Sequence, residues 1–168
     1  MKRYALSILF CALTASAASA QTKSPVEGVW KIAELVMPSR NPAEKGITIT
    51  NPQPSLIIFL KGYYSQVLVT AETARAAVAP AKDPQNLTDA EKIARYEQWR
   101  PFIATSGTYE IKDQTLIKRA IVAKNVGVMT KATPNIWEFK MEGPNTLWLN
   151  PTGDLIATEP RIKLTRLE

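Results

Sequence analysis

Few side chains in this sequence could carry out chemistry. Among its 168 residues there is no histidine, and the one cysteine is Cys11. A Ser-His-Asp or Cys-His catalytic arrangement therefore cannot form, and neither can a metal site with histidine ligands. We accordingly expect no metal and no cofactor, and the sequence assigns no catalytic residue.

Arg119 is a candidate for holding a charged ligand. It shares one face of a predicted strand with Thr115, Ile117 and Ile121, because side chains alternate between the two faces of a strand. If that face points inward, a lone arginine in apolar surroundings would pair with an anionic head group such as a carboxylate. If it points outward, Arg119 is a solvated surface residue.

Aromatic side chains at alternate positions could line a binding cavity. Trp137 and Phe139 share one strand face, and Tyr109 shares another with Gly107. Such faces can either fill a packed core or surround one small ligand. Gly107 leaves out a side chain and so favours a cavity. We therefore predict ligand-binding residues at Tyr109, Trp137 and Phe139, with Arg119 at the polar end.

An enzyme without a cofactor would need an acid or a base in the same interior. Glu34 falls on the face of Trp30 and Ile32 if the alternation is regular, and it would then be a buried general base. Tyr109 is the other candidate for this role, and Arg119 would stabilise charge. Without histidine or a paired-carboxylate motif, binding is the stronger hypothesis.

About eight short strands must position these residues. The pattern of β-branched and aromatic residues between turn signals is typical of an all-β antiparallel barrel or sandwich. The predicted strand segments are 28–37, 55–60, 63–69, 102–111, 115–122, 136–141, 146–149 and 162–167, with a further short segment at 47–50.

Residues 70–100 break the strand pattern. Thr88 and Glu91 have the spacing of a capping box and predict a helix that ends at Pro101. A weaker second helix is predicted over residues 71–78. These helices would form either a lid on a barrel mouth or a surface insertion that covers an open edge.

Residues 1–20 have the layout of a secretory signal peptide. Lys2 and Arg3 precede an apolar run that ends in small residues at 18–20. We expect cleavage there, a single domain over residues 21–168, and a periplasmic or secreted location. The apolar run is too short to span a bilayer, so no integral membrane span is expected.

The charges do not indicate a nucleic-acid partner. The chain has 21 basic and 15 acidic side chains, and the basic ones are scattered without a run of five.

Three stretches together resemble the bacterial lipocalin-like domain family. They are Gly28-Val29-Trp30-Lys31, the segment FIATSGTYEI at 102–111, and Asn125-Val126-Gly127 followed by Trp137-Glu138-Phe139. The resemblance spans roughly residues 26–150 and implies a closed antiparallel barrel around a cavity. Members often carry a histidine in the strand where this chain has Lys118 and Arg119, so a histidine-dependent site cannot be carried over.

The resemblance also implies a structural role for Gly28 and Trp30. In lipocalin barrels a tryptophan at this place can plug the closed end, with a basic side chain of the last strand over its ring. The candidates for that cation are Arg161, Lys163 and Arg166.

The sequence thus favours an exported lipocalin-like protein that binds a small hydrophobic or amphipathic molecule in the barrel cavity. Two alternatives stay open. One is a cofactor-free isomerase or cyclase that uses the same cavity, and the other is an envelope interaction module with a packed interior. The sequence indicates neither the ligand nor the oligomeric state.

Overall fold

A computed structural model describes residues 24–39, 41 and 44–168, and the predicted signal peptide lies outside them. Nine strands make up one antiparallel sheet in the described part of the chain. They are β1 (Gly28–Met37), β2 (Ile47–Thr50), β3 (Leu56–Leu60), β4 (Tyr63–Val69), β5 (Phe102–Lys112), β6 (Thr115–Ala123), β7 (Asn135–Met141), β8 (Thr146–Pro151) and β9 (Arg161–Arg166).

The sheet closes into a barrel because β1 also pairs with β9. The other edge of β1 pairs first with β3, from Gly28 to Lys31, and then with β2, from Glu34 to Met37. β2 and β3 thus act as the two parts of one interrupted strand. Because β2 and β3 share one position, the nine strands form an eight-strand antiparallel barrel, which confirms the predicted fold class.

The two ends of the barrel differ in their connections. At the closed end, short turns join β3 to β4, β5 to β6 and β7 to β8. The turn at Lys61 and Gly62 has φ values of 48° and 80°, and positive φ at both central residues is what a tight type I′ hairpin turn requires. At the open end, the connections are longer. One joins β1 to β2, and the others comprise residues 70–101, 124–134 and 152–160.

A bulge in β1 changes which residues face the interior. The register against β9 shifts between Ile32 and Glu34, and beyond the shift Leu35 is fully buried. A bulge inserts one extra residue and so reverses the alternation that follows it. Glu34 therefore does not share the inward face of Trp30, and the prediction of a buried general base at Glu34 was wrong.

One of the two predicted helices is present. α1 (Asp89–Trp99) begins with the predicted capping box, in which the Thr88 amide donates to Glu91 Oε2 at 2.8 Å. Residues 71–78 form no helix, because an isolated segment this short is marginal without packing. Instead, Gln98 Nε2 donates to the carbonyl of Ala76 at 3.2 Å.

Two further short helical segments were not predicted. α2 (Val126–Thr130) follows β6, and a 3₁₀ turn spans Gly153–Ala157. Asn125 caps α2, since its side-chain oxygen accepts from the Gly127 amide at 3.0 Å. No helix in the described part of the chain is both long and apolar enough to cross a membrane.

Candidate functional site

Trp30 fills the closed end of the barrel. Its ring is fully buried, and its Nε1 donates to the Val26 carbonyl at 2.7 Å. Of the three candidate cations, Arg166 lies over the ring, with its guanidinium carbon 4.0 Å from the ring centroid. A Cβ added to Gly28 would collide with the carbonyl oxygen of Glu168. This close approach explains the glycine beside the plug.

The interior next to Trp30 is packed with side chains. Phe59 and Tyr109 meet edge to face with ring centroids 5.1 Å apart, and Phe139 belongs to the same buried cluster. Burial, with a contribution from the negative charge of Glu27, raises the pKa of the Tyr109 hydroxyl. Two of the predicted ligand-binding residues, Tyr109 and Phe139, therefore lie in the core and do not line the cavity described next.

The interior towards the open end contains a cavity of about 560 Å³. Trp137 lines it, as do the inward-facing residues Tyr64, Gln66 and Lys118. These four side chains, here called the cavity floor, are nearly fully buried. The other lining residues are Arg100, Phe102, Ile103, Ala104, Thr105, Ala123, Lys124, Asn125, Val126, Val128, Asn135 and Glu159.

Lys118 is the charged residue of the cavity floor. It is only 3% exposed, and its Nζ donates to Gln66 Oε1 at 3.0 Å. The same Nζ lies 4.5 Å from the centroid of the Trp137 ring and 5.3 Å from that of Tyr64. Among the described residues, no carboxylate lies within 4.0 Å of this ammonium group.

Burial sets the protonation of these groups. It lowers the pKa of Lys118 to about 8, although the negative charge of Glu159 opposes this change. Burial also raises the pKa of the Glu159 carboxyl, against the positive charges of Lys118 and Lys131. The pKa of the Tyr64 hydroxyl is raised by burial as well, so this side chain is a neutral phenol at pH 7.

The cavity floor has more hydrogen-bond donors than acceptors. An ammonium group carries three donors, and Lys118 uses one of them on Gln66. Trp137 Nε1 is buried and has no partner among the residues that the structure describes. The Tyr64 hydroxyl is already shared with Thr105 Oγ1 at 3.1 Å. This arrangement suits a ligand group that accepts hydrogen bonds, such as a carboxylate or a carbonyl.

Arg119 does not belong to this site. Its side chain is 56% exposed on the outer face of β6, 3.7 Å from Glu110 Oε1. In β6 the buried positions are Leu116 and Lys118, so Arg119, with the opposite parity, points outward. The apolar neighbours that indicated an inward face were misleading, because Ile121 is itself 65% exposed. The predicted position of Arg119 was wrong, and Lys118 is the inward cation.

Gly107 has a different role from the one predicted. A Cβ at this position would collide with the carbonyl oxygen of Arg119 and would lie 2.9 Å from Cα of Ala120. The β5–β6 register shifts between Ser106 and Gly107, which brings the two backbones close together. Gly107 thus permits a close strand contact and does not create the cavity.

The rim of the cavity is basic and apolar. Lys124 Nζ donates to the carbonyls of Trp99 and Phe102, the latter at 2.9 Å, and so ties the end of α1 to the end of β6. Arg100, the C-cap of α1, lines the cavity, whereas no residue of α1 itself does. The insertion therefore borders the mouth and does not plug it.

Comparison with known proteins adds a fold likeness. No protein-family model matches the sequence, and no curated protein is similar enough to count as a match. Similar solved structures include a lipocalin-like protein from Bacteroides uniformis ATCC 8492, at 11% identity over 86% of this chain and 100% of that chain, with a TM-score of 0.47. Another is an uncharacterized protein from Bacteroides eggerthii DSM 20697, at 10% identity over 83% of this chain and 98% of that chain, with a TM-score of 0.42. A lipocalin-like protein is thus among the structural neighbours of this chain.

Proposed function

We propose that the protein binds a small amphipathic molecule whose anionic head group lies against Lys118 and whose apolar part extends toward the open end. The observation that supports this most strongly is the buried ammonium group at the floor of a 560 Å³ cavity. Cavities of 300–1,000 Å³ are the usual size for small-molecule sites.

A ligand carboxylate would place a negative charge directly next to the Lys118 ammonium group. A buried charge without an opposite charge is costly, and this cost is what lowers the pKa of Lys118. An anion bound next to Nζ would offset that cost and could also accept from Trp137 Nε1. The ligand's head group would then stabilise the protonated form of Lys118.

The charges around the cavity favour the same class of ligand. Among the described residues that line it, Lys118, Arg100 and Lys124 are basic, and Glu159 alone is acidic. A positive potential inside a low-dielectric cavity attracts anions.

The walls between the floor and the rim suit an apolar chain. Phe102, Ile103 and Ala104 from β5 line the cavity there, together with Ala123 of the neighbouring β6 and Val126 of α2. Burial of methylene groups against such walls contributes about 0.8 kcal/mol for each group. The head group would therefore lie at the floor, and the chain would point to the mouth.

Export is part of the proposal. It is supported by the signal-peptide layout of residues 1–20. Intact mass of protein taken from the expressing cell should correspond to a chain that begins at or near Gln21. A soluble cytoplasmic product that still carries Met1 would contradict this part.

The binding proposal is tested with a ligand and its uncharged partner, decanoic acid and methyl decanoate. Dissociation constants are measured by tryptophan fluorescence for the wild type and for Lys118→Met. Hydrogen bonds to charged groups contribute about 1.5–3 kcal/mol, so the variant should bind the acid roughly tenfold to a hundredfold more weakly. Binding of the ester should change little.

The matched control is Lys140→Met. Lys140 has the same charge, but its side chain is 71% exposed outside the cavity. This variant should bind both ligands as the wild type does. Equal losses for acid and ester in Lys118→Met, or no binding of either ligand by the wild type, would contradict the proposal.

A further inference from the structure

We propose that Lys118 also forms a reversible Schiff base with an apolar aldehyde held in the cavity. This inference rests on the cavity of the proposed function, but it adds covalent chemistry that simple binding does not need. The ligand class is an aliphatic or aromatic aldehyde whose carbonyl reaches the cavity floor.

The surroundings of Lys118 favour an amine nucleophile. The Nζ donates a hydrogen bond to the neutral side-chain amide of Gln66 at 3.0 Å. It also lies over the faces of two aromatic rings. No carboxylate of the described residues forms an ion pair with it. Lysines that are desolvated in this way lose their proton more readily and become nucleophiles at neutral pH.

The change in the pKa of Lys118 is considerable. Burial lowers the pKa of Lys118 to about 8 from an ordinary 10.5. At pH 7 the neutral fraction of Lys118 is therefore larger than that of an exposed lysine by a factor on the order of a hundred.

The reaction balances without an oxidant, a reductant or a metal. The lone pair of neutral Nζ attacks the aldehyde carbon, and the carbonyl π electrons move to oxygen to give a carbinolamine. The carbon–oxygen bond then breaks as the carbon–nitrogen double bond forms. Both amine hydrogens leave with the carbonyl oxygen as one molecule of water.

Neighbouring groups can assist these proton transfers. Glu159 lines the same cavity, and burial raises the pKa of its carboxyl, which favours the protonated form. Trp137 Nε1 is a buried donor without a partner among the described residues, and it could stabilise the oxygen of the carbinolamine. The other titratable groups of the cavity are Tyr64, Arg100 and Lys124.

The test uses decanal with the purified protein at pH 7 and sodium cyanoborohydride, which reduces an imine to a stable secondary amine. Proteolysis and peptide mass spectrometry then locate the decyl group. We expect Lys118 to carry at least ten times the label of any exposed lysine. Excess decanoic acid should suppress this label, because both molecules occupy the cavity floor.

Two variants separate covalent chemistry from binding. Lys118→Arg keeps a cation for decanoic acid but has no amine that could form an imine, so it should retain acid binding and lose the label. Lys140→Arg is the matched control, since the Lys140 side chain is 71% exposed outside the cavity, and this variant should keep the label on Lys118.

The outcomes distinguish this inference from the proposed function. If decanoic acid binds but decanal labels only surface lysines, the Schiff base is ruled out and the binding function stands. If neither molecule engages the cavity, both proposals fail. The map of labelled lysines in the wild type decides the question even if Lys118→Arg does not fold.

Discussion

The closed half and the open half of the barrel are built from the same strands but enclose different interiors. In the closed half, Trp30, Phe59 and Tyr109 belong to one buried cluster. In the open half, the inward positions of β4 and β6 carry Gln66 and Lys118, and a cavity remains. Alternation places side chains inside, but their size and polarity determine whether the interior is filled.

The strand pairing also differs between the two halves. β6 pairs with β7 only from Thr115 to Lys118, whereas its pairing with β5 continues to Ala123. Beyond Lys118, β6 no longer pairs with β7, and the chain passes through α2 before β7 begins. This separation of two neighbouring strands coincides with the cavity, so the open half gains space where the ladder ends.

The closed half should be the more sensitive to truncation. Trp30→Ala removes a fully buried ring, its hydrogen bond to Val26 and the contact with Arg166. We expect the free energy of unfolding to fall by about 3–5 kcal/mol, as it does for large core aromatics. Urea unfolding measures this change.

Trp148→Ala is the comparison variant. Trp148 is only partly buried and contacts Arg161 and Lys163 on the barrel surface. We expect Trp148→Ala to lower the free energy of unfolding clearly less than Trp30→Ala does. A loss below about 1 kcal/mol for Trp30→Ala would mean that the closed half is not the stable part of the barrel.

The open half should show a pH dependence of stability that comes from its buried lysine. The pKa of Lys118 is lower in the folded protein than its ordinary value, so the unfolded chain binds more protons between about pH 8 and pH 10.5. Stability from this group therefore rises with pH in that window. Between pH 7 and pH 10 the wild type should gain about 2–3 kcal/mol relative to Lys118→Met.

The comparison with Lys118→Met isolates the contribution of Lys118 from that of its neighbours. Burial raises the pKa values of Glu159 and Tyr64, but both groups are present in the wild type and in Lys118→Met, so their contributions are common to the two proteins. Denaturant unfolding of both proteins at the two pH values gives the difference. Parallel curves for wild type and variant would show that Lys118 is not buried as a charge.

Much of the fold could be predicted from the sequence. The strands, the capping box at Thr88 and the turn at Lys61 and Gly62 are local patterns, and local geometry decides them. The role of Trp30 at the closed end was implied by the resemblance to lipocalin-like domains.

The site was harder to predict because tertiary contacts determine which face of a strand points into the barrel. The bulge that turns Glu34 away from the inward face is visible only in the register of β1 against β9. In β6 both faces contain isoleucine or leucine, so composition favoured the face of Arg119. The signal that could have identified Lys118 is its shared parity with Leu116, but a lysine in an apolar strand is usually exposed.

The most direct test of the account is the titration of Lys118 by NMR, with ¹³Cε- and ¹⁵Nζ-labelled lysine and the signal assigned by its loss in Lys118→Arg. The free protein should titrate at about pH 8. Bound decanoic acid should raise the pKa of Lys118 toward the ordinary lysine value, because the carboxylate stabilises the ammonium form, and methyl decanoate should not. A Lys118 that titrates like an exposed lysine, or whose titration is the same with the acid bound, would contradict the central claim that Lys118 is the buried cation that binds an anion at the cavity floor.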